Sequence, residues 1–169
     1  NNVLMICDEI QTGLGRTGKL LACQHDNVQP DGILLGKALG GGMLPVSLFL
    51  ANKNILDVFN PGDHGSTFGG NELSANIGLS ALNIIVEEKF AENSAAMGDR
   101  LMQQLKQIKS PIIKDIRGKG LLIGIEIDPK YHAARDVCLA LLENGLLSKE
   151  THETVVRLAP PLIITSDQI

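Results

Sequence analysis

Val3-Leu4-Met5-Ile6-Cys7-Asp8-Glu9 is an unbroken apolar run closed by two carboxylates. A strand buried on both faces of a parallel sheet has this pattern, because helices cover each side and no residue needs to face water. Its C-terminal end then lies at the crevice where open α/β sheets bind ligands. Strand alternation turns Asp8 and Glu9 to opposite sides, so one of them can point into that crevice.

Outward from this run the same grammar repeats. After a glycine-rich turn from Gly13 to Gly18, Gly32-Ile33-Leu34-Leu35 leads into Gly36-Lys37, and Val46 to Ala51 follows, giving three neighbouring strands of an α/β sheet. Asn60-Pro61-Gly62-Asp63-His64-Gly65 is a concentrated turn signal, and Ser66-Thr67-Phe68-Gly69-Gly70 continues it as loop. Leu73, Ile77, Leu79, Leu82, Ile85 and Val86 then recur near helical spacing from Glu72 to Lys89, and Met97, Leu101, Leu105 and Ile108 do so from Phe90. Ser110-Pro111 ends that second helix, since proline cannot continue it. Beyond Pro111 the pattern predicts strands at Ile112-Ile113, Leu121–Ile127 and Val155–Leu158, and a helix from about Ala133 to Glu143 with Gly145 as its cap. A domain boundary is therefore expected near Pro111, with residues 1–110 ending an α/β sheet domain and residues 111–169 forming a small α+β domain.

Composition narrows the function classes. The 169 residues are 44% hydrophobic and 20% charged, as in a globular protein rather than a disordered one. A net charge of −4 and only 3% aromatic residues argue against a nucleic-acid surface, which needs a basic face and rings for base stacking. Cys7, Cys23 and Cys138 are odd in number and far apart, so neither a disulfide framework nor a zinc ribbon is expected. No apolar run approaches the roughly 18 residues of a membrane span, and the reading expects a soluble, cytoplasmic protein. Asn at position 1 leads it to expect a piece of a longer chain.

Gly13-Leu14-Gly15-Arg16-Thr17-Gly18 matches a dinucleotide fingerprint, and Gly13 to Lys19 nearly matches a phosphate loop. Both fail on context. Leu20 stands where the phosphate loop needs a hydroxyl for magnesium, and no helix is patterned to open at the glycines. His25, His64, His132 and His152 are scattered, without metal-ligand spacing.

Lys37 is more informative. It follows a strand and precedes Ala38-Leu39-Gly40-Gly41-Gly42, where glycines admit a ligand to the backbone. An ammonium over a packed floor there is partly desolvated, which favours the neutral, nucleophilic amine. Such a lysine attacks aldehydes, and pyridoxal phosphate is the aldehyde that also asks for an acidic partner. Asp8 fits that part: an ionised aspartate keeps the pyridine nitrogen protonated, so the ring can absorb carbanion charge while the lysine moves protons. Arg157, between Val156 and Leu158, is a guanidinium on an apolar strand, suited to a bidentate carboxylate contact or to a buried salt bridge.

These residues resemble the class III, or omega, aminotransferases of the fold-type I pyridoxal phosphate enzymes, and within them the ornithine branch. The likeness is carried by Asp8-Glu9-Ile10-Gln11-Thr12-Gly13-Leu14-Gly15-Arg16-Thr17-Gly18, Leu35-Gly36-Lys37-Ala38-Leu39-Gly40-Gly41-Gly42 and Gly65-Ser66-Thr67-Phe68-Gly69-Gly70-Asn71. Arg117-Gly118-Lys119-Gly120-Leu121, Gly145 to His152 and Val156 to Leu162 extend it along the chain. One motif departs: Glu72 stands where the family usually has proline.

The resemblance implies that Lys37 attaches the cofactor, Asp8 pairs with its pyridinium nitrogen and Gln11 reaches its phenolic oxygen. It implies that Ser66 and Thr67 bind the phosphate of the cofactor in a neighbouring subunit, so that a homodimer shares its sites. Arg157 would hold a substrate α-carboxylate. Residues 1–110 become the C-terminal part of the large cofactor-binding domain, and 111–169 a truncated small domain. The implied activity of the intact protein is transfer of the δ-amino group of L-ornithine to 2-oxoglutarate. Acetylornithine and 4-aminobutyrate aminotransferases are the rivals, because the recognition residues are expected in a missing first half. An inactive folded fragment without a complete cofactor site is the rival of another class.

Overall fold

β1 (Ile6–Asp8) and β2 (Gly32–Leu35) run parallel, with Asp8 in register with Leu34, so both strands end at the same edge of the sheet. The computed structural model describes residues 3–169; Asn1 and Asn2, the first positions of the expected 1–110 domain, lie outside the described residues. The chain forms two compact units, one holding the chain up to Gly15 together with Lys19–Lys89, the other Arg16–Gly18 together with Phe90–Ile169. Compactness thus groups the helix that starts at Phe90 with the C-terminal residues, whereas the sequence pattern closed the first domain at residue 110.

In the first unit β3 (Leu48–Ala51) completes the sheet, in the order β1-β2-β3. It pairs antiparallel to β2, so the sheet is mixed rather than wholly parallel. The physical reason is the connection, which holds only a 3-10 turn at Lys37–Gly40 and no helix to carry the chain back across the sheet. Gly32 makes room for the Phe49 ring, since a Cβ there would lie 2.7 Å from it. The expected double burial of the first strand is also corrected. Val3 to Ile6 are 51–79% exposed, because β1 is an outer strand among the described residues.

After a single helical turn, α1 (Lys53–Leu56), and a long exposed loop, α2 (Glu72–Glu87) occupies the range its periodicity predicts. Asn71 caps it by accepting the Ser74 N–H at 2.9 Å. Glu72 is therefore the first helical residue, a position that suits proline because its N–H would be unpaired, and suits glutamate because the helix dipole is positive there. The departure at Glu72 exchanges one good opening residue for another. Gly78, Ala81 and Ile85 form the buried stripe of α2, and Gly78 and Ala81 pack on the turn that carries Lys37.

The second unit is built on α3 (Phe90–Gln107) and an antiparallel sheet of β4 (Ile113–Lys119), β5 (Leu122–Ile127), β6 (Lys149–Thr151) and β7 (Val155–Leu158), in the order β4-β5-β7-β6. α4 (Ala134–Glu143) covers it: Ala134 and Cys138 join Ile125, Ile127 and Val156 in the core. α4 ends in a Schellman motif, with Gly145 N–H donating to Leu142 and Leu146 N–H to Leu141. Gly145, with φ of +83°, is the left-handed residue just beyond the cap, which is Asn144. β6 and β7 are joined through His152 and Glu153, both left-handed without being glycine. No described helix is long and apolar enough to cross a membrane.

Candidate active site

The parallel pairing of β1 and β2 sets the site. Asp8 ends β1, and the chain leaving β2 turns at once into Gly36-Lys37. The side chain of Lys37 crosses to the segment after β1, where Nζ donates a hydrogen bond to Gln11 Oε1 at 3.1 Å. Lys37 itself sits at φ +46°, a left-handed conformation that a β-substituted residue adopts at a cost of about 1–2 kcal/mol. Leu35, Gly36, Leu39 and Gly40 around it are buried, which is the packed floor, but the Lys37 side chain is exposed. The expected desolvation of its ammonium is thus corrected: the described residues wall only one side of it.

Asp8 and Glu9 divide their work as alternation requires. Asp8 is exposed, and its Oδ1 accepts the Ile10 N–H at 3.0 Å, which orients the carboxylate at the sheet edge. Glu9 is 3% exposed and accepts three hydrogen bonds, from Thr12 Oγ1 at 2.6 Å, Cys23 N–H at 2.8 Å and Ala22 N–H at 3.0 Å. Burial pushes the Glu9 carboxyl upward, yet these donors together hold it below its ordinary value. Alternation alone does not say which carboxylate faces the crevice, and the sequence reading gives that part to Asp8; in the structure Glu9 is the buried one, tying the Gly13 turn and residues 22–23 to the end of β1. Burial, then the neighbouring Glu9, raise the Cys23 thiol above its usual value, so it is no reactive thiolate.

Ser66 and Thr67 lie in the exposed loop before α2, where Ser66 Oγ accepts the Gly69 N–H at 3.0 Å. Arg157, in the second unit, is half-buried on β7, in register with Gly124 of β5 and Lys149 of β6. Among the described residues no carboxylate pairs with it. Its charged neighbour is another cation, Arg16. Sequence reasoning passed over Arg16 as part of an unsupported nucleotide loop; in the structure Gly13–Gly18 is a run of turns. Nor do the described residues contain any cluster of three metal-ligating side chains.

The donor set at the sheet edge fits a pyridoxal cofactor: an exposed amine for its aldehyde, an amide beside that amine, and an oriented carboxylate on the adjacent strand. The chain belongs to the class III aminotransferases, whose family model, Aminotransferase class-III, matches residues 1–169.

Within that family the similar proteins include several ornithine aminotransferases, and also an acetylornithine aminotransferase of Elizabethkingia anophelis whose structure gives a TM-score of 0.91 at 50% identity, over 99% of this chain and 43% of that one. Ornithine aminotransferase 2 of Staphylococcus aureus is 56% identical over the whole chain, which spans 42% of that protein. The structure of Plasmodium falciparum ornithine δ-aminotransferase superposes with a TM-score of 0.95 at 49% identity, over 99% of this chain and 43% of that one. An ornithine aminotransferase of Toxoplasma gondii, described with partial occupancy of PLP at its active site, gives 0.95 at 46% identity, over 99% of this chain and 40% of its own. The chain therefore spans less than half the length of the relatives it matches.

Proposed function

We propose that the protein containing this chain transfers the δ-amino group of L-ornithine to 2-oxoglutarate, giving glutamate 5-semialdehyde and glutamate. The observation that carries this reading is the meeting of Lys37 and Gln11 at the sheet edge where β1 delivers Asp8. The names of the ornithine aminotransferases among its similar relatives supply the substrate.

When bound, the cofactor supplies an aldehyde that takes up the amino group and a ring that stores carbanion charge. Lys37 Nζ is its attachment point and the base that moves a proton between carbon centres. Asp8, oriented by the Ile10 N–H, would pair with the ring nitrogen and favour its protonated form. Gln11 orients the Lys37 amine and would hold the cofactor's phenolic oxygen. Ser66 and Thr67, exposed in this chain, reach a phosphate across a homodimer interface, and Arg157 takes the substrate α-carboxylate. In this reading residues 1–110 are part of the large cofactor domain and 111–169 of the small one, in a cytoplasmic enzyme.

Two measurements test it. Pyridoxal phosphate added to the purified chain, followed by borohydride reduction and peptide mapping, is expected to label Lys37; a label on another lysine refutes the assignment. In the full-length protein, ping-pong kinetics with ornithine are expected to exceed those with acetylornithine or 4-aminobutyrate. Preference for either of the latter overturns the substrate.

A further inference from the structure

Arg16 is the least expected residue of the second unit. Its Nη1 donates to two carbonyls far away in sequence, Pro160 at 2.6 Å and Leu121 at 3.2 Å. Leu121 opens onto β5, and Pro160 lies three positions beyond Arg157 on the chain leaving β7. β5 and β7 are the two strands whose pairing sets Arg157 opposite Gly124. One guanidinium therefore fastens both strands of the ladder from which Arg157 projects.

The same segment is braced twice more. Ser94, fully buried on α3, donates to the Arg16 carbonyl at 2.9 Å and accepts the Leu121 N–H at 3.1 Å, which fixes the backbone of Arg16 against β5. Asn93 beside it donates to the carbonyls of Leu162 and Ile164 at 2.6 and 3.1 Å. Neutral carbonyls accept from Nη1 of Arg16 without neutralising its charge. Arg157, without a carboxylate partner among the described residues, is close enough for the two charges to repel, and its direct cross-strand neighbour Lys149 is a further cation on that face. Like charges held together by a rigid frame leave a demand for an anion.

We propose that Arg16 is a positioning residue for Arg157: by clamping the Leu121 and Pro160 carbonyls it fixes the strand end that presents Arg157, and its retained charge makes the place selective for a carboxylate. This rests on the reading of Arg157 as the substrate-carboxylate residue. Arg16 touches no reacting atom in this scheme. It sets affinity for the oxo acid and leaves the chemical step alone.

The test uses the full-length holoenzyme with Arg16→Gln, Arg16→Lys and Arg157→Lys. Arg157→Lys is expected to raise KM for 2-oxoglutarate tenfold or more. Arg16→Gln is expected to do the same with kcat changed less than twofold, and to shrink the thermal stabilisation given by glutarate, a dicarboxylate that cannot react. Arg16→Lys keeps the charge but not the two-carbonyl fork, and is expected to show an intermediate rise; it carries the test should Arg16→Gln fail to fold. A raised KM in Arg157→Lys with unchanged KM in Arg16→Lys and Arg16→Gln overturns the positioning role alone. An unchanged KM in Arg157→Lys overturns the role of Arg157 and this inference with it. A fall in kcat at unchanged KM in the Arg16 variants also overturns it.

Discussion

Lys37 Nζ lies 3.1 Å from Gln11 Oε1, although the two residues are 26 positions apart and sit on segments leaving different strands. Parallel pairing is what brings them together: strands that run the same way release their following loops at the same edge. The contact orients an amine that would otherwise swing on four carbons, and it leads directly to the first expected outcome.

Lys37→Ala is expected to abolish the visible band of bound pyridoxal phosphate and the borohydride label, with the far-ultraviolet circular dichroism unchanged, because the side chain is exposed and no core contact is lost. Lys37→Gly is expected to lose the band equally but to melt at or above the alanine variant, since glycine tolerates φ of +46°. A band surviving in either variant places the attachment on another residue.

Asp8→Asn removes the charge while keeping the shape. Transamination by the full-length enzyme is expected to fall at least tenfold, about 1.4 kcal/mol in the barrier. Wild-type turnover in this variant is incompatible with the pyridinium role.

Glu9→Ala leaves the N–H groups of Ala22 and Cys23 without their acceptor, and unfolding by denaturant is expected to show a loss of about 3 kcal/mol. The native carboxyl is held below its ordinary value near 4.5, so its contribution is complete above that value and is lost as pH falls through the lower folded one. Wild-type stability is therefore expected to drop on acidification below about pH 4.5, more steeply than in Glu9→Gln. Parallel acid limbs in the two proteins contradict this account.

Gly98→Ala and Gly120→Ala are expected to destabilise by about 2–3 kcal/mol or more each, read as a lowered Tm. A Cβ on Gly98 would collide with the Gly120 backbone, and one on Gly120, at φ +53°, would lie 2.5 Å from the Thr17 carbonyl carbon. A Tm within error of wild type in both variants shows that the backbones can separate there.

Where the sequence was legible, pattern and chemistry agreed. The range of α2 followed from its period, and β1 and β2 end where their apolar runs close, at Asp8 and Leu35. β6 was missed because Lys149-Glu150-Thr151 is polar and its turn uses His152 and Glu153 in place of glycine. β4 was reduced to Ile112-Ile113 because Lys114, Asp115 and Arg117 hide its alternation; in the structure Arg117 instead bridges Asp115 and Glu126 across the ladder. Exposure of the first strand was illegible, since an apolar run states what it prefers to bury and not which neighbours are present. Arg16 was invisible for a different reason: its partners are carbonyls, which any residue can offer, so no motif announces them.

The Arg16–Gly18 segment belongs to the unit that Phe90–Ile169 completes. Its hydrogen bonds to Leu121 and Pro160 span 105 and 144 residues. At a translation rate of roughly 5–20 residues per second, the second of these partners leaves the ribosome about 7–30 s after Arg16 does. For that interval the nascent chain carries a segment that cannot close, so this clamp forms late, by long-range search rather than local nucleation. The last-made strand end thus gates the closing of a segment synthesised near the start of this chain.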